Sequence, residues 1–215
     1  MQYKFKTKPY EHQLEALKRS WNKREYAYFM EMGTGKSKVL IDNIAVLYDK
    51  GGIDAAIIVA PKGVYRNWSE KEIPAHMPEH IESQIAVWNP APTKAQKKEL
   101  VKLFESNHDL KILVINVEAF STKKGVTFVE KFILAHNPML AIDESTTIKN
   151  PKAQRTKNLL KLSINTKYRR ILTGFPVTRS PLDLYSQCSF LSPHLLGYAS
   201  YYSFQNRFAQ LINRK

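Results

Sequence analysis

A short glycine-containing segment has the residue types that bind phosphate. Residues 31–37, Glu-Met-Gly-Thr-Gly-Lys-Ser, follow an apolar run and precede an amphipathic stretch, Lys36–Asp49, which predicts a strand, a loop and a helix in that order. Gly33 and Gly35 would let backbone N–H groups wrap closely around phosphate oxygens. The Lys36 ammonium would neutralise the phosphate charge, and the positive end of the following helix would face the same anion. The segment therefore predicts a nucleotide-phosphate site.

Two adjacent carboxylates supply a second part of such a site. Asp143 and Glu144 follow the apolar run of residues 138–142. In an open parallel sheet, ligands bind where the strands end, so this pair is expected beside the phosphate-binding loop. Asp143 and Ser37 would hold Mg²⁺, and Glu144 would act as the general base for an attacking water. The plainer interpretation is that the pair only opens or caps the next loop.

The rest of the chain alternates between apolar runs and amphipathic segments, which predicts the elements that position these residues. Short apolar runs rich in Ile, Val or aromatic residues are predicted as strands: Tyr26–Glu31, Ala55–Ala60, Gln84–Trp88, Lys111–Asn116, Met139–Asp143 and Arg169–Thr173. The segments between them are predicted as helices: Glu11–Trp21, Lys36–Asp49, Tyr65–Ile73, Thr93–Phe104, Val126–His136 and Lys152–Ser163. Buried strands separated by helices indicate an α/β domain with a doubly wound, mostly parallel sheet flanked by helices. The stretch after Ser192 is predicted to form one or two helices.

Length and composition exclude several classes of protein. The chain has 215 residues, of which 43% are hydrophobic, so disorder over most of the chain is excluded. The apolar runs are far shorter than the ~20 residues that span a bilayer, and the N-terminus lacks an apolar signal segment. Neither membrane insertion nor secretion is therefore predicted. The single cysteine, Cys188, excludes an internal disulfide and favours a reducing compartment such as the cytoplasm or nucleoid.

The net charge gives the first indication of a partner. Lys and Arg number 33 while Asp and Glu number 19, which leaves a formal net charge of +14 at pH 7. A surplus of this size favours a polyanion such as nucleic acid, and no basic amphipathic helix in the sequence points to a membrane surface. A basic proteome or simple solubility is the alternative explanation.

Seven sequence blocks occur in the order typical of one family. The chain resembles the N-terminal RecA-like lobe of Swi/Snf-type, superfamily-two helicase-like ATPases at Pro9–Gln13, Glu31–Ser37, Ile57–Trp68, Val114–Glu118, Asp143–Asn150, Arg170–Pro176 and Pro181–Pro193. The resemblance covers about residues 9–210 and implies a RecA-like P-loop NTPase domain over residues 1–192. Residues 193–215 would be a helical connector toward a second RecA-like lobe, whose motifs the sequence lacks.

The resemblance implies ATP and Mg²⁺ as cofactors and assigns roles to individual residues. Gln13 matches the residue that reads the adenine edge and Tyr10 could stack on the base, although a solvated glutamine and a helix-start staple are the plainer interpretations. The nucleotide-binding set is Tyr10, Gln13, Met32, Gly33, Thr34, Gly35, Lys36 and Ser37; the catalytic set is Lys36, Asp143 and Glu144; the metal ligands are Ser37 and Asp143. Thr173 and Gly174 are expected to couple the phosphate state to the nucleic-acid face, unless Gly174 simply forms a turn.

Nucleic-acid contacts are expected from loops at the same sheet edge. The candidates are Lys62, Arg66, Asn116, Ser121, Lys123 and Lys149. Their targets would be the backbone phosphates of DNA, which the resemblance implies is double-stranded, so binding would depend weakly on sequence and steeply on salt. For any single lysine, a solvated surface position is the alternative. Trp68 is expected to pack between helix and sheet rather than to stack on a base.

Two departures from the family pattern leave open how hydrolysis is coupled to nucleic acid. Ser145 and Thr146 stand where many members have Ala-His, and Phe175 stands where Thr is usual. The favoured function is an ATP-binding motor lobe of a DNA-dependent ATPase, helicase or double-stranded DNA translocase, nearly inactive without its second lobe. A non-catalytic nucleic-acid-binding module and a P-loop phosphotransferase are the alternatives. The compact, lysine-rich chain would suit a phage or a bacterium.

Overall fold

A parallel sheet positions the residues discussed above. The computed structural model of the protein describes residues 3–105, 107 and 109–209. The strands are β1 (Glu25–Phe29), β2 (Ala55–Ala60), β3 (Ser83–Val87), β4 (Leu110–Asn116), β5 (Pro138–Asp143) and β6 (Tyr168–Thr173). Their order across the sheet is β1-β6-β5-β2-β4-β3, and every pairing is parallel. The predicted parallel α/β sheet is confirmed.

Helices connect the strands and cover both faces of the sheet. They are α1 (Glu11–Ser20), α2 (Lys36–Asp49), α3 (Tyr65–Asn67), α4 (Ile73–His76), α5 (Lys94–Lys102), α6 (Lys123–Ala135), α7 (Gln154–Ser163), α8 (Leu184–Leu191) and α9 (Tyr201–Phe208). A π-helical turn, Trp68–Glu72, joins α3 to α4. Three 3₁₀ turns come after β4, β5 and β6 in chain order: Val117–Ser121, Ser145–Ile148 and Pro181–Asp183. Because the helices are shared between the two faces, the sheet is doubly wound, as predicted.

Two apolar cores follow from the alternation of side chains along each strand. In β2, Ala56 and Ile58 face one side, where they join the core that includes α1, α2 and Trp68. Ile57 and Val59 face the other side and pack with α5, α6, α7 and α8. All six residues of β2 are buried, as expected for a strand covered on both faces.

A buried arginine ties the first helices to the sheet. Arg170 lies on β6 and is fully buried, and its Nε donates to the Asn43 side chain on α2 at 2.8 Å. Its other N–H groups donate to backbone carbonyl oxygens at 2.8–3.1 Å, which belong to Ser20, Lys23, Arg24 and Arg169. One guanidinium therefore provides hydrogen-bond donors for carbonyl oxygens at the C-terminal end of α1 and in the loop that leads into β1.

Helix α6 begins three residues before the predicted start at Val126. The Thr122 hydroxyl accepts a hydrogen bond from the Gly125 N–H and caps the helix at Lys123. Gly125 packs so closely that a Cβ there would lie 2.4 Å from the Ala119 carbonyl oxygen. The prediction was wrong because a glycine disfavours helix in isolation, whereas here its missing side chain permits the close contact.

The C-terminal segment contains one of the helices predicted after Ser192. Helix α9 is capped by the Ser200 hydroxyl, which accepts from the Ser203 N–H, and Phe204 buries its apolar side. Residues 210–215 of the predicted connector lie outside the described residues. Within the described ranges, none of the helices has the length and apolar character needed to cross a membrane.

Candidate nucleotide-binding site

The loop between β1 and α2 forms a compact turn around a lysine. Strand β1 ends at Phe29, two residues earlier than predicted, because its pairing with β6 stops at Phe29 opposite Thr173. The Lys36 ammonium donates to the carbonyl oxygens of Met30 and Glu31, at 3.0 Å each. A cationic group is thus held across the loop that the sequence predicts to bind phosphate, at the N-terminal end of a 14-residue helix.

A glutamine on α1 braces the same loop. Gly35 has a left-handed backbone (φ +79°), and a Cβ at this position would lie 2.3 Å from Gln13 Nε2. The Gln13 amide donates to the Thr34 carbonyl oxygen at 3.0 Å and accepts from the Tyr10 N–H at 3.0 Å. A ring nitrogen of His12 lies 2.9 Å from the Thr34 carbonyl oxygen. Only glycine fits at position 35, and reading of adenine by Gln13 remains a prediction.

An exposed aromatic side chain lies beside this brace. Tyr10 is 71% exposed and stacks on the His12 ring, with ring centroids 5.8 Å apart and planes 11° from parallel. Met32, at the tip of the loop, is also exposed. The position of Tyr10 next to the phosphate-binding loop is compatible with the predicted stacking on a base. His12 was not among the predicted site residues, although it stands inside the Pro9–Gln13 block.

The acidic pair lies at the carboxyl end of β5, on the same sheet edge. Asp143 Oδ2 accepts from the Trp68 indole N–H at 3.0 Å, and Oδ1 accepts from the Glu144 N–H at 3.0 Å. Burial raises the pKa of Asp143 to about 6, and the nearby charge of Glu144 also raises it. The Trp68 hydrogen bond and the Lys36 ammonium lower this pKa. Phe29 pairs with Thr173 and Leu172 with Asp143, so β1, β6 and β5 end side by side and the loop of Lys36 shares one sheet edge with the acidic pair.

The second carboxylate is turned by an unusual backbone. Glu144 has φ +48° and ψ +63° and is the non-glycine residue with positive φ among the described residues. A left-handed conformation costs a non-glycine residue about 1–2 kcal/mol, and such strain often marks functional sites. The Thr173 hydroxyl donates to Glu144 Oε2 at 3.2 Å and accepts from the Phe175 N–H at 3.2 Å. This contact links the carboxylate to the end of β6.

The loop after β6 also touches the phosphate-binding loop. A Cβ built on Gly174 would lie 3.2 Å from Met32 Cγ, so the two loops are in close contact. Phe175, which follows, is 63% exposed. Thr173 and Gly174 therefore contact both halves of the site, the acidic pair and the loop, and their coupling role stays a prediction.

A buried glutamine joins the acidic loop to the loop after β6. Ser145 and Gln187 are both fully buried, and the Ser145 hydroxyl donates to Gln187 Oε1 at 2.6 Å. Gln187 Nε2 donates to the carbonyl oxygens of Pro176 and Asp183, at 2.8 Å each. Sequence reasoning missed Gln187, because one glutamine in an apolar helix does not show which loops it will reach.

The predicted nucleic-acid contacts follow the carboxyl ends of β2, β4 and β5. Lys62, Arg66, Ser121 and Lys123 are exposed there. Asn116 is buried instead, and its side-chain oxygen accepts from the Ala119 N–H at 2.9 Å, so it caps the 3₁₀ turn that follows β4. The exposed side chains can reach a ligand at this edge, although Arg66 also contacts the Tyr65 side chain. The Asn116 side-chain carbonyl is used internally.

Lys149 takes part in a polar cluster within the chain. Its ammonium lies 3.7 Å from Asp183 Oδ2 and contacts the Thr178 hydroxyl. Asp183 accepts further hydrogen bonds from the Thr178 hydroxyl at 2.7 Å and from the N–H groups of Thr178 and Arg179, at 2.9 Å each. These bonds hold the pKa of the Asp183 carboxyl below its ordinary value against the opposing effect of burial. In the described structure Lys149 orders the loop after β6.

The side chains of this site fit a nucleoside triphosphate with Mg²⁺. Gly33 and Gly35 both have left-handed backbones, with φ +77° and +79°, so their N–H groups can approach phosphate oxygens. Ser37 and Asp143 offer a hydroxyl and a carboxylate, and Mg²⁺ prefers such hard oxygen ligands. The donor set and the lysine-centred loop are thus chemically consistent with the predicted cofactors.

Comparison with known proteins settles the family. A model of the SNF2-related domain matches residues 13–215. The chain belongs to the SNF2-related domain family. A solved structure, the Sulfolobus solfataricus SWI2/SNF2 ATPase core in complex with dsDNA, superimposes with a TM-score of 0.74 at 23% identity, covering 97% of this chain and 40% of that one. The SNF2-related fold is therefore present nearly throughout the chain.

Curated relatives of this SNF2-related chain are much longer proteins. The probable ATP-dependent DNA helicase CHR12 of Arabidopsis thaliana is 28% identical over 175 residues, covering 78% of this chain and 14% of the relative. The chromatin-remodeling ATPase INO80 of Sclerotinia sclerotiorum is 28% identical over 171 residues, covering 77% of this chain and 9% of the relative. The chain thus matches a small part of each of these proteins.

Proposed function

We propose that the chain is the ATP-binding motor lobe of a DNA-dependent ATPase that translocates on double-stranded DNA when joined to a second RecA-like lobe. The observation that carries this proposal is the convergence of Lys36, Asp143 and Glu144 at one sheet edge in a member of the SNF2-related domain family. Relatives named as an ATP-dependent helicase and a remodeling ATPase, and a structural neighbour bound to dsDNA, support ATP and DNA as ligands.

The proposed organisation follows the same reasoning. Residues 1–192 would form the lobe, and residues 193–215 would lead toward the second lobe. A solved ATPase core of which this chain covers 40% is consistent with a partner lobe of similar size. The proposed location is the cytoplasm or nucleoid, where ATP and DNA are both available.

Each side chain would have one task in the reaction. Lys36 would exchange its two carbonyl partners for phosphate oxygens, a change that places its charge where negative charge accumulates. Ser37 and Asp143 would hold Mg²⁺, which supplies charge neutralisation at the phosphates when bound. Glu144 would take a proton from the attacking water, while its Oε2 accepts from the Thr173 hydroxyl.

The lobe by itself is expected to turn over very slowly. Transition-state charge in related phosphoryl transfers is stabilised by an arginine worth roughly 10³–10⁵ in rate. That arginine is proposed to come from the second lobe. Robust DNA-stimulated hydrolysis by residues 1–215 alone would contradict this part of the proposal.

Calorimetric titration of ATP with Mg²⁺ into the chain tests the nucleotide site. Lys36→Ala is expected to abolish measurable binding, because the triphosphate loses its main cationic partner. Lys18→Ala, an exposed lysine on α1, is the matched control and should bind as the wild type does. Unchanged affinity in Lys36→Ala would remove the assignment of the phosphate-binding loop.

Duplex DNA binding tests the other ligand. Affinity is expected to fall steeply between low and moderate salt, because binding to phosphates releases counterions. Lys62→Ala and Arg66→Ala should each weaken binding to duplexes of different sequence about equally and reduce the salt slope by about 1. Lys97→Ala on α5 is the control. A flat salt response would remove the phosphate-contact proposal.

A further inference from the structure

A tryptophan from another part of the chain reaches the acidic pair. Trp68 is the first residue of the π-helical turn between α3 and α4, and 2% of its surface is exposed. Its indole N–H donates to Asp143 Oδ2 at 3.0 Å, across 75 positions of sequence. The ring packs in the core that α2 shares with the sheet, which confirms the expected packing of Trp68. The hydrogen bond was not expected.

The chemistry of this contact is directional. An indole N–H can only donate, so it can satisfy a carboxylate oxygen but cannot compete with it as a metal ligand. Because the ring is fixed by packing, the oxygen it contacts is fixed too. Asp143 Oδ1 accepts from the Glu144 N–H, so both carboxylate oxygens have a donor that defines the plane of the group. A carboxylate oriented in this way is prepared to bind a cation.

The position of Trp68 connects the carboxylate to a second loop. Trp68 follows β2 by eight residues, and the intervening residues include Lys62 and Arg66, both exposed at the carboxyl edge of the sheet. The Val64 and Tyr65 N–H groups both donate to the Pro61 carbonyl oxygen at 3.0 Å, so this segment is ordered by its own hydrogen bonds. A displacement of the segment would be transmitted to Trp68.

We propose that Trp68 is a positioning residue of the nucleotide site, whose indole N–H holds the Asp143 carboxylate in its metal-binding orientation and ties it to the loop that carries Lys62 and Arg66. The inference rests on the proposed function, because it takes Asp143 as a metal ligand. Trp68 does not touch the nucleotide in this scheme. Its effect is exerted only through Asp143.

Trp68→Phe tests this role, since it keeps an aromatic ring and deletes the donor. The expected result is about 10-fold to 100-fold weaker binding of Mg²⁺·ATP, the usual effect of losing a partner of a metal ligand, with unchanged binding of ATP in EDTA. Trp88→Phe is the matched control, because Trp88 is 3% exposed and lies in the other core. Equal effects of the two substitutions on Mg²⁺·ATP binding would overturn the proposal.

Nuclear magnetic resonance of the wild-type chain provides a readout that needs no variant to fold. The sequence contains three tryptophans, so three indole N–H signals are expected. When Mg²⁺ is titrated into the ATP-bound chain, the Trp68 signal should move, and the midpoint of its movement should coincide with the midpoint of Mg²⁺ binding. In Asp143→Asn the same signal should move upfield. A Trp68 signal that ignores both changes would overturn the proposal.

Two further outcomes separate this inference from the proposed function. If Asp143→Asn abolishes the increase in ATP affinity that Mg²⁺ gives, and Trp68→Phe binds Mg²⁺·ATP as Trp88→Phe does, only the inference fails. If Asp143→Asn leaves Mg²⁺·ATP binding unchanged, the metal assignment itself fails and the inference falls with it.

Saturating duplex DNA should change the Mg²⁺·ATP affinity of the wild type more than that of Trp68→Phe, and equal responses would overturn the tie to the loop.

Discussion

Replacement of Asp143 by asparagine should make the stability of the chain less sensitive to pH. Burial raises the pKa of this carboxyl to about 6, against an ordinary value of 3.8. Below about pH 3 the group is largely protonated in both the folded and the unfolded chain, so it contributes little difference. As the pH rises toward 6, the unfolded chain loses the proton first, and the free energy of unfolding falls.

The size of this effect follows from the difference between the two pKa values. At 1.36 kcal/mol for each pKa unit, ionised Asp143 costs the folded chain about 3 kcal/mol at pH 7.5. Asparagine carries no charge, but its amide nitrogen cannot accept one of the two hydrogen bonds from Trp68 and Glu144, which costs about 1 kcal/mol at every pH. Asp143→Asn should therefore be slightly less stable than the wild type at pH 4 and about 2 kcal/mol more stable at pH 7.5.

Urea unfolding at a series of pH values, in EDTA and without nucleotide, measures this difference. Carboxylates distant from Asp143 cancel in the subtraction of the two curves, which leaves Asp143 and its coupling to Glu144. In Glu144→Gln, the free energy of unfolding should fall less between pH 4 and pH 7.5 than in the wild type, because the charge of Glu144 contributes to the raised pKa of Asp143. A stability difference that does not change between pH 4 and pH 7.5 would refute the reasoning.

Three other perturbations test the remaining parts of the site. Glu144→Gln in the chain joined to its second lobe should bind ATP normally and stop turnover, and normal steady-state hydrolysis would mean that another group is the base. Arg170→Leu should lower the free energy of unfolding in urea by more than about 3 kcal/mol, since it leaves several buried carbonyl oxygens unpaired, and a loss below 1 kcal/mol would contradict this. Ser145→Ala and Gln187→Leu should each cost about 1–3 kcal/mol. The double variant should cost less than their sum, because the Ser145–Gln187 bond is lost only once, although the Pro176 carbonyl oxygen loses its donor whenever Gln187 is replaced. Strict additivity in the same assay would show that the two side chains are not coupled.

Much of the fold could be predicted because local pattern and tertiary structure agree. Strand β2 is an uninterrupted apolar run, and its predicted bounds are those observed, since burial on both faces leaves little choice of conformation. Helix α2 was also predicted with its observed bounds, because the glycine before it and the amphipathic pattern mark its start. The errors fall where a contact distant in sequence decides, as at Gly125 and its close approach to Ala119.

The candidate site was predictable in its motifs but not in its connections. Lys36, Asp143 and Glu144 stand in short patterns whose chemistry explains their spacing. Trp68 and Gln187 act through hydrogen bonds to residues 75 and 42 positions away, and such pairings depend on the order of strands in the sheet. A single sequence encodes that order only through the complete fold, so the residue types alone gave no indication of these bonds.

Buried polar side chains join the acidic loop to the loop after β6, beginning at Ser145, which follows the acidic pair. Ser145 bonds to Gln187, and Gln187 in turn bonds to the Pro176 carbonyl, so the acidic loop and the loop after β6 are joined through a fully buried bridge. Thr173 joins the same two loops at Glu144. Because a buried donor left unpaired is costly, a shift of either loop must carry the other with it or break these bonds. Serine, glutamine and threonine side chains therefore connect the acidic pair to the end of β6, beside the contact of Lys149 with Thr178 and Asp183.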